Sequence, residues 1–465
     1  MAEPIDLDEL ADEVAAAGFV DKRLTKRLRA LITAVGSDPS LSLPEALDSA
    51  ELEGAYRFFS NVRVTPDAVL AGHFESTRKR CEERGEVLVA HDTTTFSYRY
   101  DGQRRGLGRA QRTTARSSQA FHAHVSLALA ADGTRRPLGV TSVKTWTRGD
   151  KREGTEHRRW EERMRATSSM LGGSVRAIHL ADREADDYEM FCALAREDLR
   201  FVVRCQYNRL LQSSAGKLKL YELFSGLNAA VQREVPLQRR TERRTDILRK
   251  THPARHARLA TINVAGVTVQ LKRPTSPGKS KDDPTTLTVN VVRVWEPSPP
   301  DGAVPVEWYL YTNEPIETPD QLLAVVDHYR ARWIIEEYFK AIKKGCEFER
   351  RQLHDYEGLV NLLATFVPIA YRLLLLRQAA RDPEPPPALD VVSQDELDVL
   401  RSIGRRKLPT APNAHDVYLA VAALGGHIKY NGDPGWLTLA RGFEKLATLT
   451  EGWVAAKLQS HSDQC

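Results

Sequence analysis

Three carboxylates and one polar stripe mark where this sequence can do chemistry. Asp92 closes the run EVLVAHD, Asp182 closes AIHLAD, and Glu336 lies inside YRARWIIEEYFKAIKKG, residues 329–345. The runs before both aspartates read as strands, so each carboxylate is expected at the rim of a sheet, where α/β layers form ligand sites. In helical geometry Tyr329, Arg332, Glu336 and Lys343 fall within a sector about 60° wide. Around them Leu322, Leu323, Val325, Val326, Trp333, Ile334, Ile335, Phe339 and Ile342 predict one long, largely buried helix carrying a single polar stripe.

Each carboxylate also has an ordinary reading. An aspartate at a strand end is commonly a turn former or helix cap. Arg332 and Lys340, four residues to either side of Glu336, predict helix-surface ion pairs. Taken together, two strand-end aspartates and a glutamate from a helix on the same sheet are the hard oxygen donors that Mg²⁺ takes. Two such ions ~3.5–4 Å apart activate an attacking oxygen and stabilise a leaving one in phosphoryl transfer.

The elements that must position these groups follow from periodicity. Residues 1–75 read as a helical N-terminal domain, in which Leu24, Leu28, Leu31 and Ile32 share one face of DKRLTKRLRALITAV, with Arg23 and Arg27 among the surrounding cations. Residues 76–368 read as an α/β domain: EVLVAHD, then two strands joined by a hairpin at Asp132-Gly133, a helix near 154–171, a fourth strand, and later the long helix. Residues 205–307 read as a β-rich insertion punctuated by loops such as TSPGKSKDDP. Thr318, Pro319 and Gln321 predict a capping box with proline at the first helical position. The apolar VNLLATFVPIAYRLLLLRQAA is read as a helix, and 369–465 as a helix-rich C-terminal domain.

Lys and Arg number 67 against 62 Asp and Glu, a formal charge of +5 that says little until its placement is read. Arg104, Arg105, Arg109, Arg112 and Arg116 crowd one stretch and QRRTERRTDILRKTHPARHAR, 238–258, is a second basic run. Both suit phosphate contacts, and solvated loops of the same composition are equally common. Cys81, Cys192, Cys205, Cys346 and Cys465 have no paired spacing of a zinc or redox motif, and a reducing cytosol is expected. The acidic N-terminus has no apolar signal core, and no run is expected to reach the ~18 apolar residues of a membrane span.

Three blocks, HDTTTFSYRY (91–100), ADREADDYEM (181–190) and YRARWIIEEYFKAIKKG (329–345), resemble the signature blocks of bacterial DDE transposases of the insertion-sequence-four family, in its transposon-five branch. The third carries the family's Tyr–Arg–Glu–Lys spacing. DKRLTKRL, EGAYRFFSN, RFVVR, EWYLYTNEP and LGGHIKYNGDPGWLTLARGFEKL follow the same order, so the resemblance covers most of the chain.

The resemblance implies an α/β, RNase H-like mixed-sheet core interrupted by the β-rich insertion and flanked by helical N- and C-terminal domains. It implies that Asp92, Asp182 and Glu336 are catalytic and bind two Mg²⁺ ions, with Mn²⁺ able to substitute. It implies DNA contacts from Tyr329, Arg332, Lys343, Arg204 and Lys340, base stacking on Trp308, and end recognition in the domain holding Arg23 and Arg27. The partners implied are double-stranded DNA, as transposon ends and target, and a second copy in a synaptic homodimer built on the C-terminal helices. No membrane partner is expected, and the place of action is the bacterial cytoplasm. One departure is visible: CQYNR, after Arg204, is less basic than this branch leads one to expect. Two rival functions share much of this reading, a stand-alone metal-dependent nuclease and a non-catalytic DNA-binding regulator descended from a transposase.

Overall fold

The computed structural model describes residues 13–14, 16–37, 39, 41–98, 102–110, 119–148, 156–214, 216–237, 239, 254–275, 282–428 and 433–462. Arg112, Arg116, Cys465 and most of the 238–258 basic run lie outside the described residues.

The core of the molecule is a sheet begun by β1 (Glu86–Tyr98), β2 (Gln119–Ala130) and β3 (Pro137–Trp146), an antiparallel meander. The β2–β3 turn forms at Asp132-Gly133 as expected, with Gly133 at φ +88°. The helix Glu156–Leu171 then crosses over to β4 (Arg176–Ala181), which lies parallel to β1, and β5 (Arg200–Arg204) lies parallel to β4. The order β3-β2-β1-β4-β5 is the RNase H-like arrangement. β2 is buried along its whole length, as a strand covered on both faces must be.

The 205–307 segment does not form a separate sheet. β6 (Leu210–Leu211), β7 (Leu218–Lys219), β8 (Val231–Leu237), β9 (Arg258–Lys272) and β10 (Thr286–Trp295) run on through β11 (Glu307–Thr312), which pairs antiparallel with β5. Among the described residues the result is one eleven-stranded sheet, with β8 off the main path. Continuity follows from pairing: β5 would otherwise be an open edge, and β11 satisfies its backbone groups.

The capping box predicted at Thr318 forms, with Gln321 N donating to Thr318 Oγ1 at 3.3 Å and Thr318 N to Gln321 Oε1 at 3.0 Å. The single long helix does not. It divides into Pro319–Ala331 and Ile334–Lys340, joined by tight bonds such as Trp333 N to Arg330 O and Glu336 N to Trp333 O, and then widens into a π turn at Ala341–Gly345 closed by Cys346 N to Ala341 O, 2.8 Å. The tight stretch overwinds the chain and the π turn underwinds it, so the two phase errors oppose each other.

Beneath this segment runs the helix Tyr356–Ala379. It corrects the expectation that no run is long and apolar enough to cross a membrane: by length and composition this one is, and 94% of its most apolar window is buried inside the protein. It is the central core helix, and Asn361 Nδ2 donates to Phe59 O at 3.0 Å, docking the helix Ser49–Phe59. The N-terminal helices share one hydrophobic core with the sheet, whereas Gln394–Ile403, Ala414–Leu424 and Trp436–Ser462 pack around a cluster of their own with Leu376 and Ala380.

Candidate active site

Asp92 is not at a strand end. β1 runs six residues beyond it, and Asp92 pairs with Val125 of β2. The rim forms because β4 stops: its pairing with β1 ends at Ala90 and Leu180, and past that point β1 has a neighbour on one side only. Asp182 follows β4 directly and its carboxylate accepts from Glu184 N at 2.8 Å, so it also caps a short 3₁₀ turn.

Arg332, at the break between the two helices, joins the carboxylates. Its guanidinium donates to Asp92 Oδ2 at 3.0 Å and to Glu336 Oε1 at 2.8 Å, with its side chain only 10% exposed. Burial raises the Asp92 carboxyl to about 7 against the pull of Arg332, and the charges of Asp182 and Glu336 push the same way. Burial raises Glu336 as well, again opposed by Arg332, with Asp182 adding to the rise. The three acids therefore lie within each other's field, and the Arg332 guanidinium does not fully compensate them.

The donor chemistry fits a divalent cation, and the spacing as it stands does not yet make a ligand shell. Among the described residues no three acidic, histidine or cysteine groups are placed to hold an ion. Arg332 supplies the positive charge between Asp92 and Glu336 instead. Closing the carboxylates around a dication requires that guanidinium to yield its bonds.

The other predicted residues divide into those gathered here and those that are not. Tyr329 is buried and meets Trp308 edge to face at 5.4 Å, and the Arg332 and Arg204 charges oppose the rise that burial gives its hydroxyl. Lys343, on the π turn, donates to Thr95 O at 2.6 Å and lies over the Phe96 ring, three to four residues along β1 from Asp92. Lys340 departs from expectation: it pairs with Glu337 at 2.6 Å, not Glu336, and lies over the ring of Trp333. Trp333 was expected in the core and is 52% exposed, because the helix break turns it outward. Arg23 and Arg27 sit apart on the N-terminal helix Lys22–Ser37. Arg23 is exposed, and Arg27 lies so close over Gly54 that a Cβ there would come within 2.7 Å of its guanidinium carbon.

Sequence reasoning missed two groups. On the far face of β1, Ser126 Oγ, His91, His179 and Ser168 Oγ form a buried hydrogen-bonded chain with every link at 2.9 Å. His124 and His122 bond Thr93 and Thr95 beside it. The alternation in FHAHV and the partner HDTTT were the available signal. The second group is Arg351, which donates to Pro39 O and Leu41 O of the N-terminal region and to Cys346 O, 2.7 Å, just after the π turn.

Residues 83–367 match the family model described as Transposase DDE domain, and residues 8–64 match the one described as Transposase DNA-binding. Among solved structures, a piggyBac transposase synaptic complex with hairpin DNA aligns over 81% of this chain and 74% of that chain, with 9% identity and a TM-score of 0.38. A likeness this distant says nothing of residue roles.

Proposed function

Since the chain belongs to the DDE transposases, the first matched block alone spanning most of it, we propose that it is a cut-and-paste transposase of the insertion-sequence-four family, in the transposon-five branch. The observation that carries the reading is Arg332 bridging Asp92 and Glu336 within the field of Asp182. An uncompensated acidic cluster is costly to fold around and is retained where chemistry uses it.

DDE transposase domains generally use divalent metal ions. We assign Asp92, Asp182 and Glu336 as the residues that hold two Mg²⁺, with Mn²⁺ as a substitute. Bound there, such ions activate the attacking oxygen and stabilise the leaving one. Water first attacks the phosphodiester at the transposon end and frees a 3′-hydroxyl. That hydroxyl attacks the opposite strand to close a hairpin, a second water reopens it, and the 3′-hydroxyl then attacks target DNA. Each step is an in-line displacement at phosphorus, so one site serves all four.

The protein's own residues position the strand. Tyr329, Arg332, Arg204 and Lys343 bind phosphates along the rim, and Trp308 receives a flipped base, which recovers ~1–3 kcal/mol of lost stacking. Arg332 has two tasks in this reading: it holds the carboxylates apart in the free protein and moves onto DNA phosphate when they close. Arg23 and Arg27 contact the end, Lys340 lies at the margin, and the C-terminal helices join two copies into the synaptic dimer. The work is done on DNA in the bacterial cytoplasm.

The test is incubation of the protein and its Glu336→Ala variant with Mg²⁺ and DNA carrying the element's ends, resolved on a denaturing gel. Hairpin-ended excised DNA from the parent alone is expected. Nicked products without hairpin or joining indicate a nuclease, and binding without cleavage under either ion indicates the regulator.

A further inference from the structure

The second aspartate of the ADREADDYEM block, Asp186, takes no part in the carboxylate cluster. Its side chain is fully buried and every contact it makes serves the loop after β5. One oxygen accepts from Gln206 N at 2.6 Å and Tyr207 N at 3.0 Å, and the other from Arg209 Nε at 3.0 Å and Nη2. Arg209 Nη2 donates a second time, to Asp186 O at 2.9 Å. Because β4 and β5 are parallel, the chain after Asp182 and the chain after Arg204 leave the sheet at the same edge, and this ion pair ties the two exits together.

A buried ion pair is weak support for stability, since desolvation offsets most of the attraction. Its product here is geometric. The clamp fixes both ends of a four-residue loop and leaves Tyr207 at its tip, 53% exposed, with the Arg209 guanidinium lying over its ring at 5.4 Å. A ring with one face on a buried cation and half its surface in solvent offers its other face outward. Because β5 is parallel to β4, which Asp182 follows, the loop bearing this ring leaves the sheet at the Asp182 edge, the mouth of the carboxylate site.

We propose that Tyr207 is a nucleobase-stacking residue at this mouth, held in place by the Asp186–Arg209 pair acting as positioning residues. This rests on the DNA-processing reading above. The low basicity of CQYNR then has a reason: Arg209 is committed to Asp186, and the loop meets DNA with a ring instead of a charge. Base stacking on an aromatic tolerates any base identity, because every base has a π face. The Arg209 charge behind the ring leaves its outer face to a neutral π system.

The experiment uses the full chain and a duplex of the element's terminal repeat with 2-aminopurine at each of the last three positions in turn. Parent protein should quench one of these probes, Tyr207→Phe should keep the quench, and Tyr207→Ala should lose it and bind about tenfold more weakly. Arg209→Lys should lose the quench in the parent background and change nothing further in Tyr207→Ala, an interaction that a merely structural role would not produce. Tyr207→Ala quenching and binding like the parent overturns the proposal and leaves the transposase reading standing. A parent that neither binds nor quenches any end probe overturns both.

Discussion

The two faces of β1 bury titratable groups in opposite ways. On one face, His91 and His179 complete each other's hydrogen bonds between two serines, and no charge is needed. On the other, one residue away in sequence, Asp92 shares a single guanidinium with Glu336 and lies in the field of Asp182. Burial acts on both, pushing the histidines down toward neutrality and the carboxyls up toward it. The His91–His179 chain is already neutral and satisfied; the other face buries charge against its surroundings. A satisfied neutral network specifies a core, whereas an unsatisfied charged one stores affinity for whatever neutralises it.

The largest effect that can break this contrast is catalytic. Asp92→Asn should cut strand cleavage about 10³-fold, the scale of removing one preorganised electrostatic group, measured as single-turnover nicking of end DNA. A loss of only a few fold would move Asp92 out of the reacting set.

The next is acid stability. His124 and His179 lie at about 3, far below the ordinary value, because burial opposes their charge. A depressed histidine contributes stability that is full above its unfolded value near 6.5 and is lost as pH falls toward 3. Denaturant midpoints should therefore fall steeply across that window, and His179→Gln should flatten the slope by about one proton.

Opposite in sign is the stability of Asp92→Asn. The carboxyl is raised to about 7 from an ordinary 3.8, so the parent is destabilised as pH rises through that interval and fully so above 7. The variant should be ~4 kcal/mol more stable than the parent at pH 8 and no more stable at pH 4. Urea melts at the two pH values check it, and equal melts would mean that Arg332 already compensates the site.

The smallest is Thr95→Val, which removes the hydroxyl bonded to His122 on the quiet face. It should cost ~1 kcal/mol and leave cleavage within a factor of two or so.

Much of this was legible in the sequence where local chemistry decides. Asp182, the capping box at Thr318 and the Asp132-Gly133 turn sit where short-range rules place them. Asp92 was misplaced because a strand's end is set by its partner, and β4 stops ninety-odd residues further along the chain than β1 begins. The helix break and the π turn escaped because hydrophobic period alone cannot report a local change from i−4 to i−3 or i−5 bonding. The histidine chain escaped for a different reason: attention to charge passed over residues whose role is to stay neutral. The pairing of β11 with β5 is a long-range contact with no local signature.

Arg351 has a consequence beyond packing. One guanidinium holds carbonyls at Pro39 and Leu41 and another at Cys346, where the turn bearing Lys343 ends. A displacement that lifts the N-terminal region from the core strains the bonds that fix the end of that turn. The region matched as DNA-binding and the turn that carries Lys343 are thus geared to one pin, and slackness in either is felt by the other.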